Sequence, residues 1–593
     1  MATTAAEAAE ARQAPSRAPG ETARSGWAAL RRWLPLLVLL APALIVLVGA
    51  WSHRWVDEDG FINLRVIDQI LAGHGPVFNE GERVEVSTSP LWIAALLAGR
   101  LTIGWALRLE WVAVVLGIAA AVGGFVLAAL AGRRLQPEAA VVVPVGVLCV
   151  AALPVVWDFA TAGLEMGLVW LWVAASWSLL LRRARTGEPG AGRGRTATLV
   201  VLGLGPLVRP DLGIMAVVFL AAWVLVARPR GRRLAADALA AAAVPVLYQV
   251  FRMGYYGAPV PNTGLAKGAS SHYLFMGVDY LQDLSRPYAL WIPLIPVLLA
   301  FVLTARRAPG PVRLVIAAPV LAGVAHATYI VLIGGDYLHG RLLLPALFAV
   351  ALPAALPLER RFVPVLAIAG GVAWAVVVMA SVRYENRPGL GFDAPDVVDQ
   401  RQTLWAGERV VRRPTVGEAI REAQERGERG VLLPHLPRPL PKGGPLPVLD
   451  AAPAPLAPDD LVTLEASIGI LGYQAGPDVV VVDLRGLADP LTARADVFQA
   501  WRYRAGHRKF LDRAWYHARY GFLVDDVHDG VNVSSVAAAR RALSCPPLSD
   551  LLDAVTGPLT PGRFVSNLWH SFSYAGVSVP EDPRDAEGAA CGT

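Results

Sequence analysis

The sequence predicts a polytopic α-helical membrane protein with about eleven transmembrane helices, followed by a C-terminal mixed α/β domain outside the cytoplasm. Of its 593 residues, 55% are hydrophobic and only 17% are charged, whereas a soluble chain carries about 25% charged residues. Apolar runs such as 34–50 and 111–130 approach or reach the roughly 17–25 residues that cross a bilayer. From about residue 382, Pro and charged residues become frequent and no run is long enough to span.

The N-terminal region predicts a tail followed by an anchor. Residues 1–26 are rich in Ala, Glu and Arg without apolar periodicity, which is typical of a disordered segment. Arg24, Arg31 and Arg32 precede the first span and acidic residues follow it, so the positive-inside rule places the N-terminus in the cytoplasm. The span is long and has no convincing small-residue cleavage site, which favours an anchor over a removed signal peptide.

The same rule sets the register of a transmembrane domain over residues 27–381, because it keeps the Arg-rich loops inside. The apolar segment Pro90–Ile103 is too short for a crossing and is predicted to be an interfacial or re-entrant helix. The further spans are predicted near 109–131, 139–157, 164–182, 196–208, 212–228, 235–251, 289–305, 314–333, 341–357 and 362–381.

Residues 382–593 predict one extracytoplasmic domain, since about 200 residues suffice for a separate core. Val479–Leu484 is typical of a buried strand, as is Val431–Pro434, and Ala537–Ala542 of a helix. Outside the cytoplasm, Cys545 and Cys591 would form a disulfide, with two free thiols as the alternative. The net charge of +6 does not indicate a nucleic-acid partner, because the Arg residues cluster in short loops.

The acidic run Asp57-Glu58-Asp59 directly follows the first span. Carboxylates beside hydrocarbon are costly unless they lie in water or have a function. Further charged residues fall in the other predicted outer loops, which indicates an outward-facing polar cavity over a membrane-embedded site. These residues are Glu165, Arg209, Asp211, Arg252, Lys267, Asp336, His339 and Arg341.

Such a cavity suits transfer of a glycosyl group from a lipid phosphate. A carboxylate must accept the acceptor proton or stabilise oxocarbenium character, and Asp59 is the candidate, with Glu58 in support. Cations must neutralise the departing phosphate, and the candidates are Arg341, Lys267, His339 and Arg252. Other candidates for substrate contact are Asp336, Glu165, Tyr255, Tyr256 and Asn262.

Each candidate also has a purely structural explanation. The acidic run could be a helix cap, because negative charge favours a helix N-terminus. Asp336 and Arg341 could form a structural ion pair, His339 could be an ordinary loop residue, and the two tyrosines could be interface anchors. No Cys/His cluster predicts zinc and no Gly-rich loop predicts a nucleotide, so no cofactor is assigned, and a carboxylate-bound divalent cation stays possible.

Several blocks of the sequence resemble the actinobacterial terminal β-(1→2)-arabinofuranosyltransferases of cell-wall arabinan synthesis, within the GT-C superfamily of polyprenyl-phosphate-dependent glycosyltransferases. The likeness covers nearly the whole chain, and the Phe251–Lys267 block is its most specific part. The blocks are 54–60, 71–85, 158–165, 208–211, 251–267, 334–341 and 486–491, together with the two late cysteines.

The resemblance implies a GT-C fold, decaprenylphosphoryl-arabinofuranose as donor and the non-reducing end of arabinan as acceptor. The family's paired aspartates fall on Glu58 and Asp59, so the resemblance assigns the essential carboxylate to Asp59. The C-terminal domain would help to hold the glycan. Donor and product share the β-configuration in that family, whereas one displacement inverts it, so the stereochemical route stays open.

Without the resemblance, the residues themselves leave two alternative functions open. A transferase of another polyprenyl-phosphate sugar, such as mannose, would need the same carboxylate and cations. A transporter of lipid-linked sugars would carry polar or broken-helix features through the midplane, often in repeated halves. Here the polar residues gather at one predicted face and no repeat is visible, which favours transfer over transport.

Overall fold

The computed structural model of the chain is predominantly helical. It describes residues 19–186, 193–268, 273–382, 384, 397–401, 438–439, 461–465, 468–477, 480–496, 509–520 and 532–592. Up to residue 381 the helices are α1 (Pro19–His53), α2 (Glu58–Ala72), α3 (Pro90–Ile103), α4 (Leu109–Leu135), α5 (Val145–Ala151), α6 (Pro154–Phe159), α7 (Met166–Thr186), α8 (Arg193–Gly203), α9 (Gly205–Val208), α10 (Gly213–Ala227), α11 (Arg232–Tyr256), α12 (Asn262–Ala266), α13 (Leu274–Ser285), α14 (Trp291–Arg307), α15 (Gly310–Leu332), α16 (Leu344–Ala351) and α17 (Phe362–Ser381).

The C-terminal part combines short strands with further helices. Strand β4 (Leu461–Glu465) runs antiparallel to β3 (Arg438–Pro439) and parallel to β5 (Val480–Asp483). In the helical part, β1 (Val142–Val143) pairs with β2 (Leu356–Pro357). The C-terminal helices are α18 (Gly469–Ala475), α19 (Arg513–Tyr520), α20 (Val533–Ser544), α21 (Leu548–Thr556), α22 (Pro561–Ala575) and α23 (Pro583–Cys591). The predicted strand at 479–484 and helix at 537–542 are confirmed, while 431–434 lies outside the described residues.

Six helices in the described part of the chain are long and apolar enough to cross a membrane. They cover Trp33–His53, Leu109–Leu135, Pro210–Ala227, Arg232–Tyr256, Gly310–Leu332 and Phe362–Ser381. The prediction of a polytopic α-helical membrane protein is therefore confirmed. Eleven spans and the side on which each loop lies stay predictions.

Several predicted segments differ in their helix boundaries. The first helix begins at Pro19, so residues 19–26 are helical and not part of a disordered tail, since proline suits the first helical turn. The predicted span at 139–157 is divided into α5 and α6, because Pro144 and Pro154 each stand where a helix begins. The predicted span at 341–357 contains only the short helix α16.

Small residues bring the central helices of the bundle close together. A Cβ atom on Gly124 of α4 would lie 2.7 Å from the backbone of Trp170 in α7. A Cβ atom on Gly167 would lie 2.4 Å from the carbonyl oxygen of Gly117. Membrane helices pack by such close approach, because lipid gives no hydrophobic drive for their association. This contact fixes the start of α7, which directly follows Glu165.

The C-terminal part is joined to the loop after α2 by a buried ionic cluster. The Arg519 guanidinium donates to the carboxylates of Glu82 and Asp489, and all three side chains are less than 10% exposed. Burial raises the pKa of Glu82 to about 7, although Arg519 opposes that rise. Nearby, the Asn79 side chain pairs with the backbone of Val481, at 2.9 Å to its oxygen and 3.0 Å to its nitrogen. The two parts of the chain therefore share one buried polar interface.

We expect Arg519→Met to destabilise this interface strongly. The substitution keeps the volume but leaves two buried carboxylates without their cation, and removing one partner of a buried ion pair costs about 3–5 kcal/mol. The apparent melting temperature of the purified protein in detergent should fall, and the C-terminal part should become sensitive to protease.

Arg541→Met is the matched control. Arg541 pairs with Glu587, but its side chain is 59% exposed, and exposed pairs contribute little to stability. Its melting temperature should equal that of the wild type. An equal loss of stability in the two variants would contradict the role assigned to the Arg519 cluster.

Candidate active site

The acidic run 57–59 forms the N-terminus of α2, and its three carboxylates have three different partners. Asp57 is the residue before the helix, and its side chain accepts a hydrogen bond from the Glu58 N–H at 2.8 Å. The side-chain amide of Gln400 also lies against the Asp57 carboxylate. Asp57 therefore caps α2, which is the structural explanation that the sequence offered for the acidic run. Asp59 has different partners.

The Asp59 carboxylate is bound by two residues of the loop before α16. Arg341 Nη1 donates to Asp59 Oδ2 at 2.8 Å, and the Tyr337 hydroxyl donates to Asp59 Oδ1 at 3.3 Å. The Asp59 side chain is 14% exposed and that of Arg341 is 9% exposed. An ion pair that is mostly buried is poorly screened by water, so its charges interact more strongly than they would in solution.

Lys267 and Asp336 complete this cluster. Lys267 Nζ lies 3.9 Å from Asp336 Oδ1, and Arg341 Nη1 lies 3.8 Å from Asp336 Oδ2. Neither Asp336 Oδ2 nor Arg341 Nε has a hydrogen-bond partner among the described residues, although both atoms are buried. Buried polar atoms are normally paired, so these two atoms are exceptions within the cluster.

The three carboxylates differ in charge state. Burial would raise the pKa of Asp59, but Arg341 and Lys267, with the hydrogen bonds from Arg341 and Tyr337, bring it below its ordinary value. Burial and the neighbouring Asp59 raise the pKa of Glu58 to about 8, although the Gly469 amide opposes that rise. Burial and Asp59 also raise the pKa of Asp57 well above its usual range. Asp59 is therefore the carboxylate of the run whose surroundings favour the ionised form most.

Glu58 faces the C-terminal part of the chain and not the cationic cluster. Its Oε1 atom accepts a hydrogen bond from the backbone N–H of Gly469, at the start of α18. A Cβ atom on Gly469 would lie 2.8 Å from Glu58 Oε1, so only glycine allows this approach. The ring of Phe61, one turn along α2, packs against Tyr473 with centroids 5.5 Å apart. Glu58 therefore joins α2 to α18.

Glu165 belongs to a second ionic cluster, deeper in the bundle. Its Oε1 atom lies 3.6 Å from Arg209 Nε, and Arg209 donates two hydrogen bonds of 3.0 Å to Asp211. His326 Nε2 lies 2.6 Å from Asp211 Oδ2. Arg209 and Asp211 therefore form a structural ion pair, and Glu165 lies within electrostatic reach of Arg341.

Arg252 lies outside the Asp59 cluster. Its Nε and Nη2 atoms donate to both oxygens of Glu85, at 2.6 and 3.2 Å, and Tyr248 donates to the same carboxylate at 2.6 Å. All three side chains lie between α11 and the loop after α2. A two-point pair of Arg with a carboxylate is among the strongest hydrogen-bonded contacts in proteins, so Arg252 is already committed to a structural partner.

Tyr255, Tyr256 and Asn262 also hold the fold together. The Tyr256 hydroxyl donates to the carbonyl oxygen of Pro76 at 2.8 Å, and the Tyr255 ring stacks on Phe251 with centroids 5.0 Å apart. Asn262 Nδ2 donates to three carbonyl oxygens of the C-terminal part, at 2.9 to 3.2 Å. The three carbonyls belong to Gly486, Leu487 and Asp489.

His339 is two residues from Arg341 but faces a different pocket. Its Nδ1 atom lies 2.6 Å from Asp283 and its Nε2 atom lies 3.1 Å from the Tyr288 hydroxyl. The Tyr384 ring stacks on it with centroids 3.8 Å apart. The cavity also has His53, Asp158 and Arg401 in its wall. The structure therefore separates His339 from Lys267 and Arg341, with which the sequence analysis grouped it.

The sequence analysis missed two contacts of the acidic run, that of Asp59 with Tyr337 and that of Glu58 with Gly469. Tyr337 was not singled out, although it lies between Asp336 and Arg341 in a block that was, and an aromatic hydroxyl there was a usable signal. The Gly469 contact left no signal in the sequence, because Glu58 and Gly469 are 411 residues apart.

In the part of the chain that the structure describes, no group of three or more His, Cys, Asp or Glu side chains is arranged to hold a metal ion.

The two late cysteines lie at bonding distance. Their Cα atoms are 5.4 Å apart, and the bond links the end of α20 to α23. Cys149 is a buried free thiol. Neither feature contacts the Asp59 cluster.

The arrangement around Asp59 suits transfer of a group that leaves as an anion. The Asp59 carboxylate is partly exposed, Arg341 donates to it, and Arg341 and Lys267 lower its pKa. Such preorganised charges stabilise charge that develops in a transition state. A groove with mostly apolar walls is lined by Ile93, Ala94 and Leu97 of α3, together with Val66 of α2 and Phe251 of α11.

Comparisons with known proteins identify one family of transferases. Residues 456–588 match the AftB family C-terminal domain. The chain is 33% identical to the terminal β-(1→2)-arabinofuranosyltransferase of Mycobacterium tuberculosis, over 92% of this chain and 96% of the relative. It is 29% identical to the protein of the same name from Corynebacterium glutamicum, over 93% of this chain and 87% of the relative. No solved structure matches the chain.

The two relatives cover 92% and 93% of this chain. The chain therefore belongs to the family of terminal β-(1→2)-arabinofuranosyltransferases.

Proposed function

We propose that this protein transfers arabinofuranose from a polyprenylphosphoryl-arabinofuranose donor, decaprenyl in its natural form, to the non-reducing end of a cell-wall arabinan. The product is a terminal β-(1→2) linkage. Two relatives that carry this activity in their names support the sugar and the linkage. The single structural observation that carries the proposal is the ionised Asp59 carboxylate held by Arg341 beside Lys267.

Asp59 acts on the acceptor and on the sugar in this proposal. Its negative charge stabilises oxocarbenium character at the anomeric carbon, and it accepts the proton of the acceptor hydroxyl as that hydroxyl bonds to the carbon on the face that keeps the β-configuration. The bond from that carbon to the phosphate oxygen breaks, and its electron pair leaves with the lipid phosphate. The low pKa of Asp59 keeps it ionised at the start of each cycle.

Arg341 and Lys267 receive the leaving phosphate. Arg341 uses Nη1 for Asp59, while its Nε atom has no partner in the described residues. Lys267 is 28% exposed and has a single ion contact of 3.9 Å, so its ammonium group is accessible. Cations bound to a departing phosphate stabilise the charge that develops on it. His339 and Arg252 have other partners and are not assigned to the phosphate.

The apolar groove along α3 is our candidate for the polyprenyl chain. Its walls contain Pro90, Ile93, Ala94 and Leu97 of α3 and Tyr248, Phe251 and Tyr256 of α11. Glu85 also lines the groove, and Arg252 neutralises it. A groove with apolar walls and a few fixed polar groups is typical of sites for lipid-like ligands.

We place the reaction at the outer face of the plasma membrane. In this arrangement the N-terminus is cytoplasmic, residues 27–381 form the GT-C transmembrane domain with about eleven spans, and residues 382–593 form an extracytoplasmic domain that holds the glycan. The Arg distribution along the sequence supports the orientation. The contact of Gly469 with Glu58 supports a role of the C-terminal domain at the site.

A transfer assay with purified protein tests the function. A short synthetic arabinan acceptor is incubated with the arabinofuranosyl donor or, in parallel, with a mannosyl donor on the same polyprenyl phosphate. We expect transfer of arabinofuranose only, with a β-(1→2) linkage in the nuclear magnetic resonance spectrum of the product. Transfer of mannose, or none with either donor, would overturn the sugar assignment.

Asp59→Asn should lower kcat by about 100-fold or more, because a positioned base contributes about 10²–10⁴-fold. Glu58→Gln is the matched control. Burial raises the pKa of Glu58 to about 8, which favours the neutral carboxyl at pH 7, and its oxygen accepts from Gly469, so glutamine keeps both the neutral charge and the acceptor atom. Its kcat at pH 7 should stay close to that of the wild type. Equal losses in the two variants would remove the distinction between these carboxylates.

Lys267→Met should lower kcat/KM for the donor about tenfold or more, because a hydrogen bond to a charged group contributes about 1.5–3 kcal/mol. Lys267→Arg keeps the positive charge and should recover most of that loss. Melting temperatures should not change, since Lys267 is partly exposed. Full activity in the methionine variant would exclude Lys267 from the phosphate site.

A further inference from the structure

The C-terminal helix α22 carries an apolar face that is exposed. Val565, Trp569 and Phe572 are 62%, 84% and 70% exposed, and Leu568 lies between them. Their positions follow the i, i+3, i+4, i+7 spacing that places side chains on one face of a helix. An aromatic pair at this degree of exposure is unusual for the surface of a soluble domain.

A second face of α22 is fixed against the end of α11. The Phe564 ring fills the space beside Gly254, where a Cβ atom would lie 2.3 Å from it. Asn567 Nδ2 donates to the carbonyl oxygens of Gly254 at 3.2 Å and Ala554 at 3.0 Å. The apolar face of α22 is therefore held at a defined place, beside the last turn of α11.

A third face of α22 is polar. Ser566, His570 and Ser573 are exposed and follow the apolar positions by one residue. A helix with a docked face, an apolar face and a polar face is suited to a boundary between hydrocarbon and water, because each exposed face meets a different solvent.

The neighbouring helix α11 is one of the six that are long and apolar enough to cross the membrane. Its side chains Val246, Leu247 and Val250 are 54%, 70% and 40% exposed, as expected for a surface in contact with lipid. Since α22 packs against the last turn of this helix, its apolar face lies beside the end of a membrane-spanning segment. Tryptophan is enriched at this level of the bilayer.

We propose that helix Pro561–Ala575 lies in the headgroup region of the bilayer and anchors the C-terminal domain to the membrane. Val565, Trp569 and Phe572 enter the acyl boundary, while Ser566, His570 and Ser573 face water. The occupant of this face is the lipid surface. The anchor holds the C-terminal domain at a fixed height beside α11, and that domain supplies the Gly469 contact to Glu58.

Site-directed spin labelling of the full-length protein in lipid nanodiscs tests the proposal. The natural cysteines do not interfere, because Cys149 is buried and the other two form a disulfide. A nitroxide is attached in turn to Trp569→Cys, Phe572→Cys and, as matched control on the same helix, Ser573→Cys. Collision rates with oxygen, which enriches in lipid, are compared with those of a water-soluble nickel chelate.

We expect the labels at 569 and 572 to collide several-fold more with oxygen than with the chelate, and the label at 573 to show the opposite preference. If the labels at 569 and 572 collided with the nickel chelate as often as the label at 573 does, the proposal would be overturned. Labels at 569 and 572 that are shielded from both reagents would also overturn it, since a second copy or another segment of the chain would then cover this face. Melting temperatures identify any variant that fails to fold, and the labels at 569 and 572 report independently.

Discussion

Three consecutive carboxylates that are mostly buried impose the strongest constraint on this structure. Like charges so close together cannot all ionise in a poorly screened site, and each carboxylate needs a separate partner. Asp57 takes the N-terminal amide of α2, Glu58 takes the amide of Gly469, and Asp59 takes Arg341. Because these partners come from distant parts of the chain, satisfying one short run brings together the first loop, the loop before α16 and the C-terminal part.

The same constraint joins the C-terminal part of the chain to α2, the helix that carries Asp59. Arg65 and Gln69 of α2 donate to the carbonyl oxygens of Gly476 and Pro477, at 2.8 and 3.0 Å. Further along, Arg519 neutralises Glu82 at the centre of the same interface. The interface fixes α2 on the side opposite Arg341, and α2 carries Asp59. Displacement of the C-terminal part would therefore shift the carboxylate on which the proposed transfer depends.

Local patterns in the sequence predicted the parts of the fold that depend on neighbouring residues. The apolar segment Pro90–Ile103 has the predicted bounds because Ser89 and Pro90 form a strong helix start. Asp59, Lys267, Asp336 and Arg341 come together as expected for loops at one end of a bundle. Partners far along the chain could not be predicted. Glu85, which binds Arg252 across 167 residues, left no local signal, and the direction of His339 depends on the backbone turn at Gly340.

A double-mutant cycle on Asp59 and Arg341 tests most directly whether this pair is the catalytic centre. Transfer rates of Asp59→Asn, Arg341→Gln and the double variant are compared with the wild type under single-turnover conditions. Residues that act as one unit have non-additive effects, so the double variant should be no slower than the slower single variant. Fully additive losses in activation free energy would mean that the two residues act separately, which would contradict the account.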